Sequence, residues 1–210
     1  MAQQALSIAT AQGAVEGTLE VPDGARSVVL FAHGSGSNRF SPRNNYVAGE
    51  LRKAGIATLL MDLLTPQEEL VYRTRFDIGL LADRLSLAAR WLRESAVTRG
   101  MALGVFGAST GAAAALQLAA SPEQQVAAVV SRGGRPDLAG QVALSRVKAP
   151  TLLIVGGLDS GVIELNETAY LMLNCEKRLD IVPGATHLFE EAGALEAVAR
   201  LARDWFVQHA

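Results

Sequence analysis

Between Met101 and Pro122 the chain carries no charged side chain. About 20 apolar residues suffice to cross a bilayer as one helix. This run, however, contains Gly104, Gly107, Ser109, Thr110 and Gly111 and closes at Ser121-Pro122. Such punctuation breaks a continuous helix. The segment reads instead as a buried strand over Met101–Phe106, a sharp turn, and an alanine-rich helix over Thr110–Ala120. A strand and a helix that both lack charge must be covered on all sides, so the rest of the chain has to supply layers around them.

The remaining pattern supplies them. Short apolar runs alternate with longer amphipathic ones, the signature of repeated βα units. Strands are predicted at Val28–Ala32, Ala57–Met61, Val126–Val130, Thr151–Val155 and Leu179–Val182. Helices are predicted over Asn45–Ala54, over Asp77–Glu94 with Asp77 as N-cap, and over Ala194–Val207. Ala5–Ala9 and Ala14–Glu20 form a hairpin through Gln12-Gly13. The polar segments Ser37–Asn45 and Thr65–Phe76 are predicted loops near a site. With 210 residues, half of them hydrophobic and 19% charged, one folded domain over residues 1–210 is expected. The fold class is α/β: a doubly wound, mostly parallel sheet with a small antiparallel start.

Charge and cysteine usage narrow the partners. Nineteen basic against 21 acidic residues give a net charge of −2, unlike an electrostatic nucleic-acid binder. One cysteine, Cys175, forms no internal disulfide, and it is expected to be buried rather than reactive. The first residues show neither a basic stretch nor a long apolar core, so a cytoplasmic protein without a membrane partner is expected. With three scattered histidines and no H-E-x-x-H, neither a metal nor another cofactor is expected. No G-K-[ST] is present, and Arg39 stands where a dinucleotide fingerprint needs its third glycine. Monomer and homodimer both remain open.

The chemistry concentrates at Gly107-Ala108-Ser109-Thr110-Gly111, a G-x-S-x-G sequence between a strand and a helix. A strand turning abruptly into a helix exposes its apex side chain, and flanking glycines leave room for the turn. The positive end of the helix then faces negative charge developing at Ser109. The alternative is a tight βα turn with Ser109 as N-cap. A serine nucleophile needs a base and a group to orient that base. His187, just past the last predicted strand, is the candidate base, the alternative being an ordinary loop histidine. Asp159, four residues beyond the strand Thr151–Val155, is the candidate acid, with Glu164 and Asp180 behind it; Asp159 also fits as N-cap of a helix from Ser160. Oxyanion donors are expected at the N–H of Thr110 and of Ser35, with Gly34 or Gly36 as alternatives for the second.

Two arginine clusters lie near these residues. Arg39 and Arg43 follow the Gly34-Ser35-Gly36 turn, and Arg132 and Arg135 flank Gly133-Gly134 past a strand end. Guanidinium groups there can hold a substrate carboxylate or phosphate. Equally, they can pair with acids such as Asp62 or Asp137. Arg43 and Arg132 are carried forward as candidate substrate-binding residues.

Nucleophile, acid and base in this order, each after a strand, resemble the α/β-hydrolase superfamily, and within it the small dienelactone-hydrolase-like group. The resemblance runs over roughly Ser27–Phe206 and includes His33-Gly34, the turn at Ser109, Gly156-Gly157-Leu158-Asp159 and Gly184-Ala185-Thr186-His187. It implies an eight-stranded sheet and cofactor-free hydrolysis through an acyl-enzyme. Dienelactone hydrolases proper use cysteine where Ser109 stands, and a glutamate precedes their oxyanion residue where this chain has His33-Gly34. A small carboxylic ester is therefore the expected substrate; acyl transfer, or a non-catalytic binding module on the same fold, are the alternatives. About 20 residues separate the strands at Val126 and Thr151, too few for a large lid.

Overall fold

The structure, a computed structural model, describes residues 2–210. Eight strands form one sheet in the order β1-β2-β4-β3-β5-β6-β7-β8. The strands are β1 (Ala2–Thr10), β2 (Gly13–Val21), β3 (Ser27–Ala32), β4 (Ala57–Met61), β5 (Ala102–Ala108), β6 (Val126–Arg132), β7 (Thr151–Gly156) and β8 (Lys177–Val182). The β1–β2 hairpin and the β2–β4 pair are antiparallel; every other pair is parallel. The helices are α1 (Pro42–Lys53), α2 (Pro66–Glu69), α3 (Ile78–Glu94), α4 (Thr110–Ala119), α5 (Gln141–Arg146), α6 (Ser160–Met172) and α7 (Ala194–His209). This is the α/β-hydrolase architecture, with no large lid between β6 and β7.

The unbroken apolar runs are explained by burial on two sides. Successive residues of a strand point to opposite faces. Val28, Leu30 and Ala32 of β3 join one core with α3 and α4, while Val29 and Phe31 join another with α1 and α7. The uncharged stretch at Met101–Pro122 is resolved in the same way. β5 lies in mid-sheet, and nine of the ten residues of α4 are buried. No helix among the described residues is long and apolar enough to cross a membrane.

Topology then fixes where a ligand can sit. After β3 the chain passes through α1 to β4 on one side; after β4 it returns across the sheet to β5 on the other. The loops leaving β3 and β5 therefore diverge to opposite faces, and a crevice opens between their carboxyl ends.

Several predicted boundaries shift for local reasons. α1 begins at Pro42 rather than Asn45, because the Ser41 side chain accepts the Asn44 N–H and Pro42 occupies the first helical turn. Asp77 caps α3 as expected, accepting the Leu80 N–H. The predicted loop Thr65–Phe76 instead holds α2 and a 3-10 turn at Tyr72–Phe76. Thr65 and Glu68 form a reciprocal capping box there. Glu68 Oε1 also receives Arg84 Nη2 of α3 at 2.6 Å, both side chains being buried. Losing one member of such a pair strands the other's charge. Glu68→Ala is expected to lower stability by about 3–5 kcal/mol, read as the shift of the urea unfolding midpoint.

Candidate active site

The turn from β5 into α4 is set by close packing. An added Cβ at Gly107 would lie 2.4 Å from Ala112 Cα, and one at Gly111 would lie 2.3 Å from the Ala32 carbonyl oxygen. Only glycine lets α4 press this tightly on β5 and on the end of β3. Between them Ser109 is held at φ 51°, ψ −120°, a positive-φ conformation that costs a non-glycine residue on the order of 1–3 kcal/mol. The Ser109 N–H donates to the Arg132 carbonyl (3.2 Å), and the Ser109 carbonyl accepts from the Arg135 N–H (3.1 Å). Its side chain makes no helix-capping bond, so the N-cap alternative does not describe it.

The acid and base come from two loops tied to each other. Gly157 N–H donates to the Val182 carbonyl (2.8 Å) and Leu158 N–H to the Ala185 carbonyl (2.9 Å). At this crossing His187 Nδ1 meets Asp159 Oδ2 at 2.6 Å. The carboxylate accepts the Nδ1 proton, which leaves Nε2 as the unprotonated nitrogen. Asp159 does stand at the N-cap position of α6, but its side chain makes no capping bond. Asp180 instead takes Arg178 Nε at 3.0 Å on β8, and Glu164 lies within α6. The base loop is braced by Glu191, which accepts the Thr186 N–H and hydroxyl; those bonds hold its carboxyl below the usual range.

Ser109 and His187 line the same cavity, of about 220 Å³, between the ends of β3 and β5. Among the described residues no hydrogen bond joins Ser109 Oγ to His187. One of the expected oxyanion donors is already engaged. The N–H of Ser35 is not free: it donates to Thr110 Oγ1 at 2.9 Å. The Thr110 N–H, at the first position of α4, has no intrahelical partner. His33 shapes this turn. Its Nδ1–H donates to the Gly34 carbonyl (2.9 Å) and its Nε2 accepts the Leu63 N–H (3.0 Å), fixing a neutral ring whose pKa burial pushes down.

The arginines separate. Arg39 pairs with Asp62, and Arg135 takes Asp137 through Nε (2.9 Å) and Nη2 (2.7 Å), both as surface structure. Arg43 and Arg132 line the same cavity as Ser109 and His187. Arg43 Nη1 reaches Glu190 at 2.8 Å, whereas Arg132 Nε and Nη1 have no partner among the described residues. The Arg132 side chain lies 5.8 Å from the Phe189 ring centroid, and the residue is only 7% exposed. Burial, with Arg43 beside it, lowers its pKa to about 10, so it stays charged at neutral pH. Ser37, Ser41 and Asn44, all within the segment Ser37–Asn45 expected near a site, also line the cavity, and Ser41-Pro42 is a readable helix start. Cys175 lies apart, half-buried, its thiol 3.7 Å from Thr151 Oγ1 and its pKa pushed up by burial.

Comparison with known proteins places this geometry. The sequence profile of the dienelactone hydrolase family matches residues 16–207. The crystal structure of a dienelactone hydrolase from Anabaena variabilis superposes with a TM-score of 0.94 at 56% identity, covering 99% of this chain and 98% of that one. Est1E from Butyrivibrio proteoclasticus shares the fold, with a TM-score of 0.81 at 14% identity over 97% and 98% of the two chains. Two Mycobacterium tuberculosis proteins, from strains CDC 1551 and H37Rv, carry the provisional name phosphoribosyl transferase. Each is 58% identical over 195 residues, which is 93% of this chain but 44% of the relative.

Glycine packing at the turn is open to direct test. Gly107→Ala and Gly111→Ala each force a Cβ into backbone and are expected to cost about 3 kcal/mol, the upper end for overpacking. Gly161, in α6 with nothing near its Cβ position, is the control. There alanine is expected to raise stability by about 0.5–1 kcal/mol. Chemical denaturation of the three variants reads both signs.

Proposed function

Because the chain belongs to the dienelactone hydrolase family, we propose that it is a serine hydrolase of small carboxylic esters working through Ser109, His187 and Asp159. The carrying observation is the 2.6 Å contact between His187 Nδ1 and Asp159 Oδ2 beside a strained, cavity-facing serine. The Asp159 carboxylate holds the imidazole so that Nε2 is the basic nitrogen. Ser109 Oγ comes within reach of Nε2 when substrate closes the site, since such contacts are often loose beforehand.

Ser109 Oγ then attacks the ester carbonyl while Nε2 takes its proton. The carbonyl oxygen becomes an oxyanion and rests on the Thr110 N–H. The Ser35 N–H, already held alongside, exchanges the Thr110 hydroxyl for the oxyanion. The C–O bond to the leaving alcohol breaks as imidazolium returns the proton, leaving an acyl-serine. Water, deprotonated by the same nitrogen, adds to the acyl carbon, and collapse frees the acid and Ser109. The open site, without a large lid, suits a small or exposed ester. The provisional name of the mycobacterial relatives belongs to proteins of which this chain spans less than half, so it carries no step here.

A fluorophosphonate probe with intact-mass readout tests the nucleophile. One adduct is expected on the wild type and none on Ser109→Ala; an unmodified, folded wild type would return the chain to the binding-module reading. Asp159→Asn keeps the hydrogen-bonding shape but favours the wrong tautomer. Its kcat on p-nitrophenyl acetate is expected to fall roughly 10⁴-fold, measured by release of p-nitrophenol.

A further inference from the structure

The catalytic cavity is lined by two guanidinium groups and by no carboxylate. One of them, Arg132, is nine-tenths buried, faces no acid, and leaves Nε and Nη1 without an acceptor among the described residues. A buried charge normally has a counter-charge, because desolvating an unpaired ion is costly. The other, Arg43, is held by Glu190, whose side chain is 65% exposed. A solvent-exposed pair of this kind is worth about 1 kcal/mol at most, so an incoming anion can displace it. Arg43 belongs to the N-terminal turn of α1, which contributes Ser41, Arg43 and Asn44 to the wall and carries no acidic residue; Arg132 lines the same cavity. The partial positive charge of a twelve-residue helix therefore adds to theirs.

We propose that this end of the cavity is a phosphate subsite, and that the ester cleaved at Ser109 carries a phosphate monoester on its acyl or alcohol part. The assignment deepens the serine-hydrolase reading and rests on it for the word substrate. Phosphate fits better than carboxylate by count. The site combines two guanidinium forks with the hydroxyls of Ser37 and Ser41, at a helix N-terminus whose Asn44 N–H is already taken by Ser41 Oγ. A carboxylate offers two oxygens and one charge; a phosphate monoester offers three terminal oxygens and a charge near −2. Helix N-termini with added arginines are built for the latter. In the reaction only the ester C–O bond breaks: water and the phosphorylated ester give a carboxylic acid and an alcohol, and the phosphate leaves intact on one of them.

The test has a binding arm and a turnover arm. In the binding arm, thermal unfolding is followed with inorganic phosphate against sodium chloride at matched ionic strength. Phosphate is expected to raise the midpoint of the wild type and not of Arg132→Gln, since only a ligand of the native state stabilises it. In the turnover arm, kcat/KM is compared for ethyl acetate, 3-acetoxypropanoate and 2-acetoxyethyl phosphate. The phosphate ester is expected to lead by about tenfold or more, the discrimination of one charge-assisted hydrogen bond. That ratio collapses in Arg132→Gln and shrinks in Arg43→Gln, which also carries the test should the first variant not fold. No phosphate-specific shift in the wild type, or a preference for 3-acetoxypropanoate, overturns the proposal. A phosphate shift lost in Arg132→Gln, on protein that the fluorophosphonate leaves unlabelled, upholds the subsite and removes the hydrolase reading alone.

Discussion

The contact between α4 and the ends of β3 and β5 governs the rest of the site. Where Gly111 faces the Ala32 carbonyl and Gly107 faces Ala112, there is no space for even a methyl group. The helix axis is thereby brought close to the strand it leaves, and the only path from β5 into α4 runs through a positive φ at Ser109. Strain at one residue is tolerated because the buried apolar faces of β5 and α4 hold both sides of the turn. The same approach brings the first N–H of α4 beside the turn after β3, where Thr110 Oγ1 and the Ser35 N–H meet. The cavity-facing Ser109, the first turn of α4 and the turn after β3 are thus consequences of one packing arrangement.

Asp159 and His187 are positioned by a separate device. Backbone hydrogen bonds from Gly157 and Leu158 to the β8 loop bind the Asp159 and His187 segments to each other before either touches Ser109. Orientation of the imidazole is therefore a local matter at the ends of β7 and β8. Its distance from Ser109 is set by the sheet, through β6. That division explains why the His187–Asp159 contact is tight here while Ser109 Oγ makes no bond to the ring. The two units face each other across the cavity.

Legibility in the sequence followed the same physics. Strands β3 to β7 were readable because both faces are largely buried, so their runs are mainly apolar; the edge strand β8, with Lys177, Arg178 and Asp180, showed only its end from Leu179 to Val182. Ser109, Asp159 and His187 were readable because each stands past the end of a strand, where chain order alone brings them to one edge. The short α2 escaped because four residues show no period; only the Thr65/Glu68 capping box signals it. The engagement of the Ser35 N–H escaped for a different reason. Its acceptor, Thr110 Oγ1, lies 75 positions away, and a contact of that separation leaves no trace in local pattern. The arginines were ambiguous for the same cause: whether Arg39, Arg43, Arg132 or Arg135 meets an acid depends on neighbours in space.

Pairing of the arginines separates structure from chemistry. Away from the cavity, guanidinium groups find carboxylates, on the surface for Arg39 with Asp62 and Arg135 with Asp137, and in the interior for Arg84 with Glu68. Arg84 is as buried as Arg132, at 6% and 7% exposure, so burial alone does not account for the difference. What differs is location, for Arg132 ends β6 next to the nucleophile's strand and faces the cavity. A cation left unpaired there weakens the fold; if Ser109 acts as proposed, it also raises the positive potential at the carbon under attack and at the oxyanion. Arg132 itself is buried, so its field is screened less than that of a surface charge. The same uncompensated charge that draws an anionic group into the site would thus favour the negative tetrahedral intermediate, so recognition and catalysis would draw on one electrostatic source.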